Sequence, residues 1–212
     1  TPECNINCEF CYNAWSLERK PASIEGFKSR LVCFLKNFPG SRIVHAGGEP
    51  LLFDGLLGLA EELSMDRFQQ SVVTNGVLLT QEMVDGLIGC GIYSVSVSVH
   101  SAHEEEHNLL TRSSSWQEAV TGLIRAASSG MRVAITAVVC RENCQRLHDI
   151  YRLAVYVGAS EIILNRYISA GRGRRVKGRL QISEEAFEAA VRSMLAIADG
   201  RVKVRLGVPT IS

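Results

Sequence analysis

Thr1-Pro-Glu-Cys-Asn-Ile-Asn-Cys-Glu-Phe-Cys-Tyr-Asn13 sets Cys4, Cys8 and Cys11 in a C-x3-C-x2-C run. Three thiols this close, on a loop rich in asparagine, are poor packing residues and good metal ligands. A loop so short can turn all three sulfurs towards one centre. Iron–sulfur clusters are usually held by four cysteine thiolates. With only three supplied locally, one iron is left for a small molecule. The competing reading is a structural zinc site, which normally takes four protein ligands, commonly as paired C-x2-C units. No second pair with that spacing exists, and the nearest histidine along the chain is His45.

The rest of the composition narrows the setting. At 212 residues the chain is read as one domain, long enough to bury a full core. The formal charge of +1 gives no global field directed at nucleic acid or membrane. No apolar run approaches the ~18 residues of a membrane span. Seven cysteines is an odd count, which argues against a purely paired disulfide framework. Cys33 and Cys90 read as core thiols. Cys140 and Cys144 repeat the C-x3-C spacing, with a second cluster or redox pair as the alternative to a structural role. A reducing, cytoplasmic setting fits this usage.

Outward from the trio, apolar spacing predicts a helix over 23–37, broken by Pro39-Gly40. Strands are expected near 42–46, 71–76, 93–99, 132–139, 161–168 and 201–206. Helices fall between them: after Asp54, after a Thr80 cap, over 115–129, over 144–157, and from Ser183 to about Ala198. His103 to His107 reads as a short acidic turn at the surface. In the strand at 93–99, Val95, Val97 and Val99 share one face and Ser94, Ser96 and Ser98 the other. A small polar face suits a strand that lines a polar cavity. Regular strand–helix alternation builds a parallel sheet with helices outside. Periodicity leaves two closures open, a doubly wound sheet or a full or partial barrel.

In parallel α/β folds ligands bind at the carboxyl ends of strands. The residues expected there are the cysteine trio, Gly47-Gly48-Glu49-Pro50, Asn75, Ser98 with His100, Val138, and Asn165 with Arg166. Paired glycines let the backbone approach a ligand closely, and a carboxylate can hold an ammonium group. Residues 171–179 form a basic, glycine-rich loop carrying Arg172, Arg174, Arg175, Lys177 and Arg179. It could dock an acidic substrate or be a solvated loop. The five histidines show no metal spacing.

The Cys trio with Phe10 before its last cysteine, followed by Tyr12-Asn13 and by the Gly-Gly-Glu-Pro turn, resembles the radical S-adenosylmethionine (SAM) superfamily. That resemblance implies a partial (β/α)6 TIM-like barrel whose cluster loop follows its first strand. That strand would precede Thr1, so the chain is expected to be a core domain cut from a longer protein. The resemblance also implies a [4Fe-4S] cluster on Cys4, Cys8 and Cys11, with SAM on the open iron. Residues 47–50 would meet the methionine amine, Ser98 the SAM carboxylate or ribose, and Arg112 the carboxylate. Phe10, Tyr12 and Val138 would flank the adenine, with Asn75 and Asn165 beside the cofactor at the mouth. One electron would cleave SAM to methionine and a 5′-deoxyadenosyl radical that takes hydrogen from substrate. The stretches around 100–108 and 165–173 look most like the SPASM or twitch branch, which adds a C-terminal extension with auxiliary clusters. The implied substrate is a peptide, protein or cofactor precursor, and the implied electron donor a flavodoxin or ferredoxin. Two alternatives stand beside this: action on RNA or a nucleotide, for which +1 is a weak charge, and a non-catalytic iron–sulfur or zinc module.

Overall fold

The structure, a computed structural model, describes residues 3–13, 24–38, 41–65 and 68–207. The expected start of the first helix at Ser23 and its break at Pro39-Gly40 lie outside the described residues. Six strands are present: β1 (Arg42–His45), β2 (Gln69–Thr74), β3 (Ser94–Ser98), β4 (Arg132–Val139), β5 (Glu161–Arg166) and β6 (Lys203–Leu206). Every neighbouring pair is parallel, and the order in space is the order in sequence.

That order decides between the two closures. Right-handed crossovers that all step the same way put every connecting helix on one face of the sheet. A doubly wound sheet reverses direction partway and covers both faces. Here the helices coat one face only, and the other is left as an inner wall. The result is a barrel-like α/β sheet that does not close, because β1 and β6 are its two edges.

The side chains follow the two-residue period of a strand. Val72, Val95, Val97, Ile135, Ala137, Ile162 and Leu164 face outward and are fully buried. They meet α3 (Gln81–Gly89), α5 (Trp116–Ser128), α6 (Leu147–Tyr156) and α8 (Glu184–Leu195) through Leu87, Leu123, Ile150 and Met194. Each such leucine or isoleucine contributes roughly 2 kcal/mol by leaving water. The inner wall carries the alternate positions Ser94, Ser96 and Ser98, all half-buried. Ser96 Oγ lies 2.5 Å from Thr136 Oγ1 across β3 and β4. The polar stripe of β3 therefore faces the inside of the curve. A second core cluster ties Phe10 of the cysteine loop to Leu110, Cys140, Tyr167 and Leu180.

Helix starts follow local chemistry. Thr80 Oγ1 accepts from the Met83 N–H at 3.2 Å, and Ser183 Oγ from the Ala186 N–H at 3.2 Å. The other helices are α1 (Ile24–Asn37), α2 (Leu56–Met65), α4 (Glu104–Thr111) and the single turn α7 (Lys177–Leu180). No described helix is long and apolar enough to cross a membrane.

Three expectations are corrected. Cys33, read as a core thiol, lies exposed on α1, whereas Cys90 is buried as expected. The acidic stretch from His103 is not a surface turn. Glu104, Glu105 and Glu106 form the first turn of α4, where carboxylates suit the positive end of the helix dipole. His107, expected at the surface, is 1% exposed. The glycine-rich basic segment is not an open loop either. It is a 3-10 turn over Gly171–Val176 running into α7.

Candidate functional site

The loop carrying the three cysteines is fixed from several directions. Asn7 N–H donates to Thr111 O at 3.2 Å and Glu9 N–H to Leu110 O at 3.0 Å, which pins the loop to the end of α4. Glu9 is 9% exposed and lies between two of the cysteines in sequence. Its carboxylate is paired with Arg112 Nε at 3.0 Å and with Arg179. Arg112 reaches it from a left-handed residue, φ 51°, that ends α4. Arg172 Nε donates to Cys8 O at 3.0 Å, and Arg172 N–H to Cys11 O at 3.0 Å.

All three thiols open on one cavity of about 340 Å³ at the carboxyl ends of the strands. That volume lies in the usual range of small-molecule sites. Gly47 and Gly48 from the end of β1, Asn75 after β2, Ser98 from β3, Val138 from β4 and Asn165 from β5 line it with Phe10 and Tyr12. Nearly all the expected site residues are thus brought together, although they are scattered over most of the sequence. Gly47 takes φ 150°, open to glycine and rare for other residues.

Three expected residues sit elsewhere. Glu49 is 1% exposed and is not among the cavity's lining residues; its carboxylate is bonded into the strand ends. Its Oε1 accepts from Leu51 N–H at 3.0 Å and Thr74 Oγ1 at 2.7 Å, and its Oε2 from Asn75 N–H at 2.8 Å. Burial nonetheless pushes its pKa up. Pro50 is buried as the first residue of a 3-10 turn over Pro50–Leu52. Arg112 lines a neighbouring cavity of about 370 Å³, which shares Cys4, Cys11, Gly47 and Gly48 with the first. The shared wall makes the two cavities parts of one basin around the cysteine loop.

The electrostatics of the trio favour a cationic partner. Burial pushes the Cys8 thiol up to about 12, with the charges of Cys11 and Cys4 adding to the shift and Arg172 opposing it. Partial desolvation raises Cys4 as well, and Glu49 and Cys11 add to it. Three thiolates at such proximity repel one another, so they ionise together only around positive charge. A bound metal centre supplies that charge and deprotonates its thiol ligands outright. All three thiols are free. Among the described residues no group of three or more His, Cys, Asp or Glu side chains is gathered as a single-ion site. The donor set fits the iron–sulfur cluster that the sequence implies: three soft ligands on one loop, facing a cavity with room for a further ligand.

Further residues line the cavity, His100 among them as the strand-end reading expects. His100 is 3% exposed and lines the cavity. Its Nδ1 accepts from Val138 N–H at 3.2 Å, which fixes the neutral ring with its proton on Nε2. Its ring meets Phe10 edge-on at 4.7 Å. Burial and the neighbouring His107 hold its pKa well below the usual histidine range. Thr136 and Arg172 also line the cavity. Thr136 sits at an inward position of its strand, and Arg172 belongs to the basic segment that sequence places near substrate or water; what has no local signal is its bond to the cysteine loop. Cys140 is buried against the cysteine loop's own core cluster, and Cys144 Sγ lies 3.5 Å from Arg141 O.

Comparison with known proteins places these features in a family. The family model of the Radical SAM superfamily matches residues 1–154. A PqqA peptide cyclase of Gluconobacter oxydans is 28% identical over 200 residues, covering 92% of this chain and 55% of that protein. A probable GTP 3',8-cyclase of Aeropyrum pernix is 29% identical over 216 residues, covering 97% of this chain and 60% of that one. The chain thus spans little more than half the length of these relatives. Among solved structures, Streptococcus suis SuiB bound to its precursor peptide SuiA superposes with TM-score 0.78 at 14% identity, over 98% of this chain and 47% of SuiB. The protein anSMEcpe with bound AdoMet and Kp18Cys peptide gives TM-score 0.79 at 17% identity, over 97% of this chain and 61% of that one. These structural likenesses show the fold.

Proposed function

The chain belongs to the radical SAM superfamily, and we propose from that premise that it is the core of an enzyme that cleaves SAM reductively to act on a peptide or small precursor. The observation that carries the reading is the meeting of three free thiols with small polar strand-end residues on one cavity. Cys4, Cys8 and Cys11 would hold a [4Fe-4S] cluster, leaving one iron for the amino and carboxylate groups of SAM. Bound there, the cluster and SAM would supply radical hydrogen-abstraction chemistry.

The chain's own residues bind and orient. Gly47 and Gly48 let backbone carbonyls approach the SAM amine closely, as paired glycines allow. Glu49 serves this indirectly, since its carboxylate ties the turn to Thr74 and Asn75. Ser98, Asn75 and Asn165 present polar groups to the ribose and carboxylate, and Phe10, Tyr12 and Val138 flank the base. Arg112 keeps its place at the edge of the basin and acts on the cysteine loop through Glu9.

The substrate class draws support from relatives named for peptide cyclisation and a fold neighbour solved with a precursor peptide. A nucleotide substrate is the second reading, favoured by the GTP cyclase relative. The electron donor would be a flavodoxin or ferredoxin, and the setting the reducing cytoplasm that a thiolate-held cluster needs. The test is anaerobic reconstitution of the full-length protein with dithionite and SAM, followed by assay of 5′-deoxyadenosine. Wild type should form it and Cys8→Ala should not. A well-loaded wild type that forms none contradicts the enzyme reading and leaves a non-catalytic cluster module.

A further inference from the structure

The basic segment after β5 is expected from sequence to face substrate or water, yet its first two residues are built into the cysteine loop. Arg172 grips that loop twice, through its backbone N–H on Cys11 O and its Nε on Cys8 O, each at 3.0 Å. Gly171 takes φ 52°, and a Cβ there would stand 2.4 Å from Cys11 O and 2.6 Å from Tyr12 O. The backbone therefore approaches as closely as a glycine permits. Arg179, at the far end of the segment, pairs with Glu9 of the same loop.

Arg172 differs from the other two arginines at this loop. Arg112 pairs with Glu9, and Arg179 with Glu9 and Glu142, so these two arginines face two carboxylates. Among the described residues Arg172 has no carboxylate partner; its guanidinium bonds a carbonyl and lines the same cavity as the three thiols. A half-buried cation without a counter-ion, beside three sulfurs that carry negative charge as ligands, is an electrostatic arrangement rather than a packing accident.

We propose that Arg172 is a positioning and charge-compensating residue for the iron–sulfur cluster. It fixes the carbonyls of Cys8 and Cys11, which sets the direction of two of the three ligands. It also favours the reduced cluster. Taking one electron from a low-potential donor adds one negative charge to the centre and changes no covalent bond, so a fixed cation nearby raises the reduction potential. The inference rests on the reading of the trio as cluster ligands.

The experiment compares full-length wild type with Arg172→Gln and Arg172→Lys after anaerobic reconstitution. Three quantities are read: iron and sulfide per chain, the rate of cluster loss to a chelator, and the midpoint potential by EPR-monitored titration. Circular dichroism of each protein checks the fold. Arg172→Gln should lose its cluster roughly tenfold faster, as expected for one lost charge-assisted hydrogen bond, and its potential should move negative. Arg172→Lys should recover most of the potential but not the chelator resistance, because an ammonium lacks the guanidinium's Nε donor in a fixed plane. A Gln variant with wild-type potential and wild-type retention overturns the proposal. If that variant does not fold, Arg172→Lys decides, since unchanged chelator resistance there removes the positioning role. A wild type that loads no four-iron cluster overturns the ligand reading and this proposal together. A normal wild-type cluster indifferent to Arg172 overturns the proposal alone.

Discussion

Glu49 illustrates how a motif residue can join two elements of a sheet. Its carboxylate accepts three hydrogen bonds, from Leu51, Thr74 and Asn75, and so joins the turn after β1 to the end of β2. Removing it leaves buried donors unmatched, at about 1–3 kcal/mol each when no water replaces the partner. Glu49→Ala should therefore lower unfolding free energy by about 3 kcal/mol in urea titrations, and Glu49→Gln by less. An alanine variant as stable as wild type would place the carboxylate elsewhere. His107 makes a second residue-scale prediction. Burial lowers its pKa from 6.5 to about 4. The unfolded chain takes up this proton near pH 6.5, whereas the folded chain resists until about 4. The associated stability is whole above the unfolded value and is lost as pH falls through that window, about 3 kcal/mol in all. His107→Asn keeps an acceptor for the His100 N–H and cannot protonate, so its stability should fall less between pH 7 and pH 4. An equal fall in both proteins would assign the acid sensitivity to other groups.

At the scale of elements, α5 and the turn after β2 meet in a tight junction. Gly76 takes φ 83°, and a Cβ on it would stand 2.6 Å from Val97 Cγ1. A Cβ on Gly122 of α5 would meet Gly76 O and Leu79 Cβ at 2.9 Å. Alanine at a helical glycine normally gains about 1 kcal/mol from propensity. Here the contact is with backbone, so α5 would have to move, at about 1–3 kcal/mol for an overpacked core. Gly122→Ala should be net destabilising in thermal unfolding, and a raised Tm would mean that the junction is looser than its distances. The strands were the most legible elements. The Val–Ser alternation of β3 identified both its core face and its cavity face before any coordinates. What stayed hidden was α4, because three consecutive glutamates read locally as a solvated turn. Only the dipole of the helix and the burial of His107 and Leu110 make them a first turn.

At the scale of the molecule, the alternation of strands and helices left the closure open. It is the unbroken spatial order from β1 to β6 that makes one face an inner wall. That wall is why Gly47, Asn75, Ser98, Val138 and Asn165, far apart in sequence, line one cavity with the cysteine trio. Strand-end reasoning could find those residues because each ends a strand. It could not find the grip of Arg172 on the cysteine loop or the Glu9 clasp. Each joins residues more than a hundred positions apart in sequence, beyond any local pattern. In the proposed reading this cavity holds a cluster with one iron open to SAM. EPR of the dithionite-reduced, reconstituted full-length protein, with and without SAM, tests it most directly. A reduced four-iron signal should appear, its g values should shift when SAM is added, and the signal should be lost in Cys8→Ala. A spectrum unchanged by saturating SAM, or a four-iron signal that survives Cys8→Ala, would contradict it.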